Sequence, residues 1–320
     1  MLAAPARPDW LPSADFARAS FSRALELCCS SASVVSSTSP SGPGPLFPDL
    51  RMFPELNNLL NTAPDKAEQG RLTLLCDART DGSFLVHHFL SFYLRANCKV
   101  CFVALIQSFS HYNIVAQKLG VSLTAARDRG QLVFLEGLKS SVEVFFQTPE
   151  EPHPLQFLRE AKAGNLQPLY EFVRTALTPG DDGEAAWRCP VLLVDDLSVL
   201  LSLGLGAVAV LDWMQYCRAT VCCQLKGNIV ALVHDREDTE DEENDILLNG
   251  LSHQSHLILR TEGLATGFCR DVHGQVQCSG HCTTSWSAEA ADSVETAHNP
   301  AGPEPHLSVQ DTGQERVLFC

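Results

Sequence analysis

The stretch LLCDARTDGSFLVHHFL, residues 74–90, decides the fold. It opens on a buried apolar run, passes through a turn with one glycine, and continues with helical spacing. Phe84, Leu85, Phe89, Phe92 and Ala96 fall on one helical face. Strand, glycine turn and helix start, in that order, are the outline of a phosphate-binding loop.

Set on the pattern G-x-x-x-x-G-K-[ST], the chain reads Asp77, Ala78, Arg79, Thr80, Asp81, Gly82, Ser83, Phe84. Gly82 is expected to supply the special backbone angles of the turn. The helix start behind it offers backbone N–H groups and a partial positive charge. The chemistry of the loop is otherwise lost. Ser83 stands where a lysine meets the β- and γ-phosphates, and Phe84 where a hydroxyl meets Mg²⁺. Asp77 and Asp81 put carboxylates where a polyphosphate would lie. Like charges ~4 Å apart cost about 1 kcal/mol in water and about 4 near a protein surface. An exposed helix terminus returns only about 0.3–1 kcal/mol. Arg79 offsets part of the deficit if it folds inward. The loop is therefore expected to bind triphosphate weakly or not at all, and no cofactor is expected. VLLVDD (191–196) has the form of the second half of such a site, with Asp195 in the place that holds Mg²⁺ or its water. A strand ending in Asp is common in α/β proteins, so a structural role is the stronger reading of Asp195 taken alone.

Working outward, further apolar strands alternate with helical segments. KVCFVALI (99–106), QLVFLEGL (131–138), VLLVDD and NIVALVHD (228–235) read as strands, with helices over 110–120, within 155–177 and over 206–220. Continuous apolar strands separated by helices predict a mostly parallel sheet covered on both faces. HLILRTEGL (256–264) and TGFCRDVHG (266–274) read as an antiparallel pair, and the acidic run REDTEDEEND (236–245) as a solvated loop.

Composition divides the chain into three. Residues 1–51 include SSASVVSSTSPSGPGPLFP, too poor in large apolar residues for a core, and read as a disordered extension. Arginines and serines there suggest a transit peptide, but Asp9, Asp15 and Glu26 are wrong for one. Residues 52–275 form the folded domain, and 276–320, without sustained periodicity, a low-order tail. The formal net charge of −15 argues against this chain alone gripping nucleic acid. Thirteen cysteines scattered through apolar runs, with no secretory signal in MLAAPARPDW, point to a reducing compartment and buried free thiols. No apolar run is as long as a membrane span.

Other candidates carry less. Cys98 and Cys101 form a C-x-x-C leading into a strand, where positions three apart face opposite sides. His87 and His88 point about a quarter-turn apart, one to the surface and one half-buried by expectation, without ligands at i+3 or i+4. Cys278, His281 and Cys282 lack a second metal-binding pair.

MFPELNNLLN (52–61), LTLLCDARTDGSFLVHHFLSFYL (72–94), CKVCFVALIQSFSHYNIV (98–115), GQLVFLEGLKS (130–140), VLLVDDLSVLLSLG (191–204) and DILLNGLSHQSHLILRTEGLATGFCRDVHGQ (245–275) together closely resemble the Elongator complex protein 6 family. The resemblance covers about residues 52–275 and departs from the family at both ends. It implies an α/β, RecA-like fold of the P-loop NTPase type, a mostly parallel sheet flanked by helices with a C-terminal antiparallel hairpin. It further implies a subunit that is not itself an enzyme. Such a subunit forms a heterohexameric ring with Elongator subunits four and five. The ring binds tRNA and joins the catalytic Elongator core, which modifies wobble uridine. The implied location is the cytoplasm, with the nucleus as a second compartment. The competing reading is an active ATPase with an unusual phosphate loop, in which Arg79 or a neighbouring subunit supplies the missing charge.

Overall fold

In the computed structural model, the structure describes residues 56–57, 60, 68–78, 80–146, 153–158, 164–179, 187–235, 241–263, 274–280 and 315–319. The N-terminal extension expected over 1–51 lies outside them, as do Arg79 and the segment carrying His281 and Cys282. Among the described residues one eight-stranded sheet organises the chain, in the order β3-β2-β4-β5-β1-β6-β7-β8. Its strands are β1 (Leu72–Ala78), β2 (Lys99–Ala104), β3 (Leu132–Glu136), β4 (Pro190–Val194), β5 (Asn228–Asp235), β6 (Leu257–Glu262), β7 (Gly274–Gly280) and β8 (Glu315–Phe319). All pairings from β3 to β6 are parallel, and β7 and β8 are antiparallel. This is the architecture the alternating apolar strands predict.

The continuous apolar runs exist because both faces of the sheet are covered. Leu72, Leu74 and Cys76 of β1 enter one core, with α5 (Gln167–Leu177), α6 (Ser198–Ser202), α7 (Ala207–Arg218) and α8 (Glu242–Gln254). Leu75 enters the other, with α1 (Ser83–Arg95), α2 (Phe109–Lys118) and α3 (Leu123–Asp128). Alternate residues of each strand divide between the two, as the pleat requires. Cys101 and Cys98 divide in the same way, so the C-x-x-C sulfurs lie on opposite faces.

Several boundaries differ from expectation for local reasons. β3 stops at Glu136 because Gly137 opens α4 (Gly137–Phe146) directly. A Cβ on Gly137 would lie 2.8 Å from the Ala104 carbonyl oxygen, so only glycine lets that helix start so close to β2. The acidic run does not stay a loop throughout. Asp241 caps α8 by accepting the Asn244 N–H at 3.3 Å, and Glu242, Glu243 and Asp245 occupy its first turn. Negative charge there complements the helix dipole, so the run doubles as a helix start. The strand paired with β6 is Gly274–Gly280, so the sheet continues through residue 275, and 266–273 lie outside the described residues. The described part of the expected tail thus contributes β-structure, because β6 leaves an edge of unpaired backbone groups that β7 satisfies.

His87 and His88 are both buried, at 5% and 1% exposure, which corrects the expectation of a surface position. α1 is buried over Leu85–Leu94, with α2 packed on it and Leu56 in the same core. The His88 ring lies 5.3 Å from that of Phe89 and 6.1 Å from that of Phe92. Burial pushes both imidazoles down to about 3, so they sit in the core as neutral rings.

Gly227 precedes β5 where its backbone passes close to Pro190. A Cβ there would lie 2.2 Å from the Pro190 carbonyl oxygen, and the atom in the way is backbone. Gly227→Ala is expected to destabilise the chain by about 1–3 kcal/mol, the usual cost of overpacking. Urea unfolding checks this, with Gly130→Ala as control for a glycine whose added Cβ meets no neighbouring atom within 4 Å. The control carries a positive φ of 73° and so reports backbone strain without crowding.

Candidate functional site

Open α/β sheets place ligands beyond the carboxyl ends of their strands. Here the ends of β1, β5 and β4 bring together Asp77, His234 and Asp196. Asp77 and His234 are register partners in the parallel ladder, so their side chains lie side by side. His234 Nδ1 and the Asp77 Oδ1 carboxylate oxygen are hydrogen-bonded. His234 Nε2 meets Asp196 Oδ2 at 3.0 Å. Burial disfavours charge on the ring, but the hydrogen bonds to Asp196 and Asp77, with their negative charge, outweigh it and push His234 up to about 11. The imidazole is then a cation held between two carboxylates, with its side chain 35% exposed.

The same carboxylates close the surrounding loops. Asp77 Oδ2 accepts the Gly82 N–H at 3.1 Å, and Asp81 Oδ1 accepts the Ser83 N–H at 2.9 Å. Two amides at the start of α1 thus point at carboxylates of their own chain. Gly82 has φ of −89°, so it does not use the special backbone angles expected of the turn. Glycine is needed for space instead: an added Cβ would meet the Asp77 Cβ at 2.9 Å and Thr261 Oγ1 at 3.2 Å. Thr261, fully buried in β6, donates to the Cys76 carbonyl at 3.3 Å, and Thr80 sits next to Gly263 at the end of the same strand. Burial pushes Asp77 above the usual carboxylate range, with the His234 and Gly82 hydrogen bonds pulling it back.

Asp195 lies outside this group of contacts. Its carboxylate accepts the Leu105 N–H at 2.7 Å, the Ile106 N–H at 3.0 Å and the Tyr112 hydroxyl at 2.9 Å. It therefore ties the end of β4 to the end of β2 and to α2. With 2% exposure, burial pushes it up to about 6 although three donors stabilise the anion. The next residue, Asp196, is the one that turns to the shared site, with its Oδ1 also accepting the Ser198 N–H at 2.7 Å. Of the residues singled out in sequence, the structure joins Gly82 to Asp77, while Ser83 donates to Asp81 and Thr80 lies beside Gly263. It places Asp195 on the β2 side.

His234 and Asp196 are the residues that reading the loop pattern misses. Both stand at the polar ends of apolar strands, which is the signal that exists for them. Asn244 of α8 completes the frame: its Nδ2 donates to the His234 carbonyl at 2.7 Å, and Ser198 Oγ donates to its Oδ1 at 3.1 Å. The His234 N–H in turn donates to Ser198 Oγ at 3.0 Å. Among the described residues there is no cluster of His, Cys, Asp and Glu arranged to hold a metal ion, and no helix long and apolar enough to cross a membrane.

The charge pattern fixes a pH dependence. The folded pKa of His234 lies above its ordinary 6.5, so the protonated ring stabilises the fold fully below that pH. The contribution is lost as pH rises from there towards about 11. Urea midpoints of the wild-type chain should therefore fall relative to His234→Gln between neutral and alkaline pH. Parallel curves for the two chains would contradict the assigned charge.

A family model described as Elongation complex protein 6 matches residues 53–296. The match runs past Gln275, further than the resemblance read from sequence. The Elongator complex protein 6 of Homo sapiens is 82% identical over 226 residues, covering 71% of this chain and 85% of that protein. That of Rattus norvegicus is 77% identical over 243 residues, covering 76% of this chain and 91% of its own length. That of Danio rerio is 56% identical over 232 residues, covering 71% and 86%. Among solved structures, flagellar accessory protein FlaH from Methanocaldococcus jannaschii matches with a TM-score of 0.44 and 14% identity, covering 71% of this chain and 83% of that one. An uncharacterized protein from Pyrococcus horikoshii matches with a TM-score of 0.44 and 12% identity, covering 71% and 88%. With a family match over residues 53–296 and relatives this similar across most of their length, the chain belongs to the Elongation complex protein 6 family.

Proposed function

We propose that the chain is a non-catalytic Elongator subunit. It builds a RecA-like heterohexameric ring with Elongator subunits four and five, and the ring holds tRNA for the catalytic core that modifies wobble uridine. Its place of action is the cytoplasm, with the nucleus as a second compartment. Membership of the family supports the assignment to Elongator. The contribution of tRNA binding is assigned to the assembled ring because this chain carries a net charge of −15.

One observation carries the non-catalytic reading. The Gly82 and Ser83 amides, which a phosphate would need, already donate to Asp77 and Asp81. A triphosphate must displace both carboxylates and then lie against them, and Ser83 brings no positive charge in compensation. The residues present therefore do not fit a nucleotide, and no hydrolytic step is derived from them. The parallel sheet remains useful as a rigid body for assembly.

Calorimetric titration of the isolated full chain with Mg·ATP is expected to show no binding at millimolar nucleotide. Ser83→Lys alone should leave that result unchanged, since Asp77 and Phe84 remain. Saturable binding by the wild-type chain, with turnover abolished by Asp195→Ala, would establish the ATPase reading instead. Co-expression with subunits four and five should yield a complex that co-purifies and binds tRNA, while the chain alone does not.

A further inference from the structure

Cys98 and Cys189 lie at the amino ends of β2 and β4, away from the site at the strands' carboxyl ends. Their sulfurs are 3.2 Å apart. Lys99 and Pro190 are register partners, so the two cysteines stand opposite each other one step before the ladder begins. Both side chains enter the same core. Two backbone hydrogen bonds clamp the pair: Lys99 N–H to the Cys189 carbonyl at 3.0 Å, and Arg188 N–H to the Asn97 carbonyl at 2.9 Å. Neighbouring strands lie ≈4.8 Å apart, within the Cα separation a disulfide accepts.

We propose that Cys98 and Cys189 are a redox-active pair that hydrogen peroxide converts to an intramolecular disulfide in the folded chain. Cys189 is the attacking sulfur. It keeps 4% exposure, against 0% for Cys98, and the adjoining Arg188 is exposed. The hydrogen bond with Cys98 and the charge of Arg188 lower its pKa, while the same hydrogen bond and burial raise that of Cys98. The Cys189 thiolate attacks a peroxide oxygen. An S–O bond forms, the O–O bond breaks, and the leaving oxygen takes a proton and departs as water. Cys98 then attacks the Cys189 sulfur, the S–O bond breaks, and the Cys98 proton leaves with the hydroxyl as a second water. Two thiols are oxidised by two electrons and one peroxide is reduced to two waters.

Of the other described cysteines, Cys76, Cys101, Cys217 and Cys222 are buried and Cys223 is exposed. Cys223 is thus the internal comparison, as an exposed thiol outside the pair.

The full-length chain is treated with hydrogen peroxide under native conditions, alkylated, digested without reduction and mapped by mass spectrometry. The expected product is a Cys98–Cys189 linked peptide that dithiothreitol removes. A dimedone trap should label Cys189 in Cys98→Ala, and label Cys98 at least tenfold less in Cys189→Ala, with circular dichroism confirming that both variants fold. The wild-type mapping needs no variant and decides the matter by itself. Links confined to Cys223, or a Cys98–Cys189 link formed only after unfolding in urea, would overturn the proposal.

Discussion

The carboxylate of Asp77 is the constraint around which the carboxyl-terminal edge of the sheet is arranged. It sits at the end of the central strand, 5% exposed, and must meet its hydrogen-bonding needs inside the protein. One oxygen takes the Gly82 amide and the other the His234 ring. The first contact fixes the turn that starts α1; the second joins β1 to β5. A buried anion without partners costs several kcal/mol, so these contacts are conditions of its being there at all. Asp196 supplies the second negative charge that lets the ring stay protonated, and Asn244 carries the arrangement on to α8.

Asp195 shows the same physics turned to a different end. Two donors just past the end of β2 and one from α2 converge on it, and its burial is nearly complete. Adjacent aspartates at the end of β4 therefore divide the work. One binds the sheet's flank together; the other meets the His234 ring at the end of β5.

The sheet was legible in sequence because its strands are apolar on both faces. β5 matches its expected span residue for residue, and β1 and α1 follow directly from the opening stretch. What escaped was decided by contacts between distant segments. α4 starts inside an expected strand because Gly137 meets β2, and β7 is displaced because its partner is β6 rather than a periodic pattern of its own. α8 carried a readable signal, an Asp cap with acids in the first turn, but the density of charge concealed it. The candidate site was half legible. The loop pattern pointed to Asp77 and Gly82, whereas His234 enters only through the ladder that sets it beside Asp77. At Gly82, crowding against Asp77 and not an unusual φ favours glycine.

The position of β1 between β5 and β6 bears on how the chain is made. The contacts that flank it join residues 157 and 184 positions apart, as between Arg71 and Asn228 and between Leu72 and His256. A ribosome adding about 5–20 residues per second needs roughly 10–30 s to deliver the first of these partners. During that interval a strand buried along its whole length has been synthesised before either of the strands that flank it. Nascent chains are thus obliged to shelter it until β5 emerges, so the central strand is made first but waits for the later half of the chain.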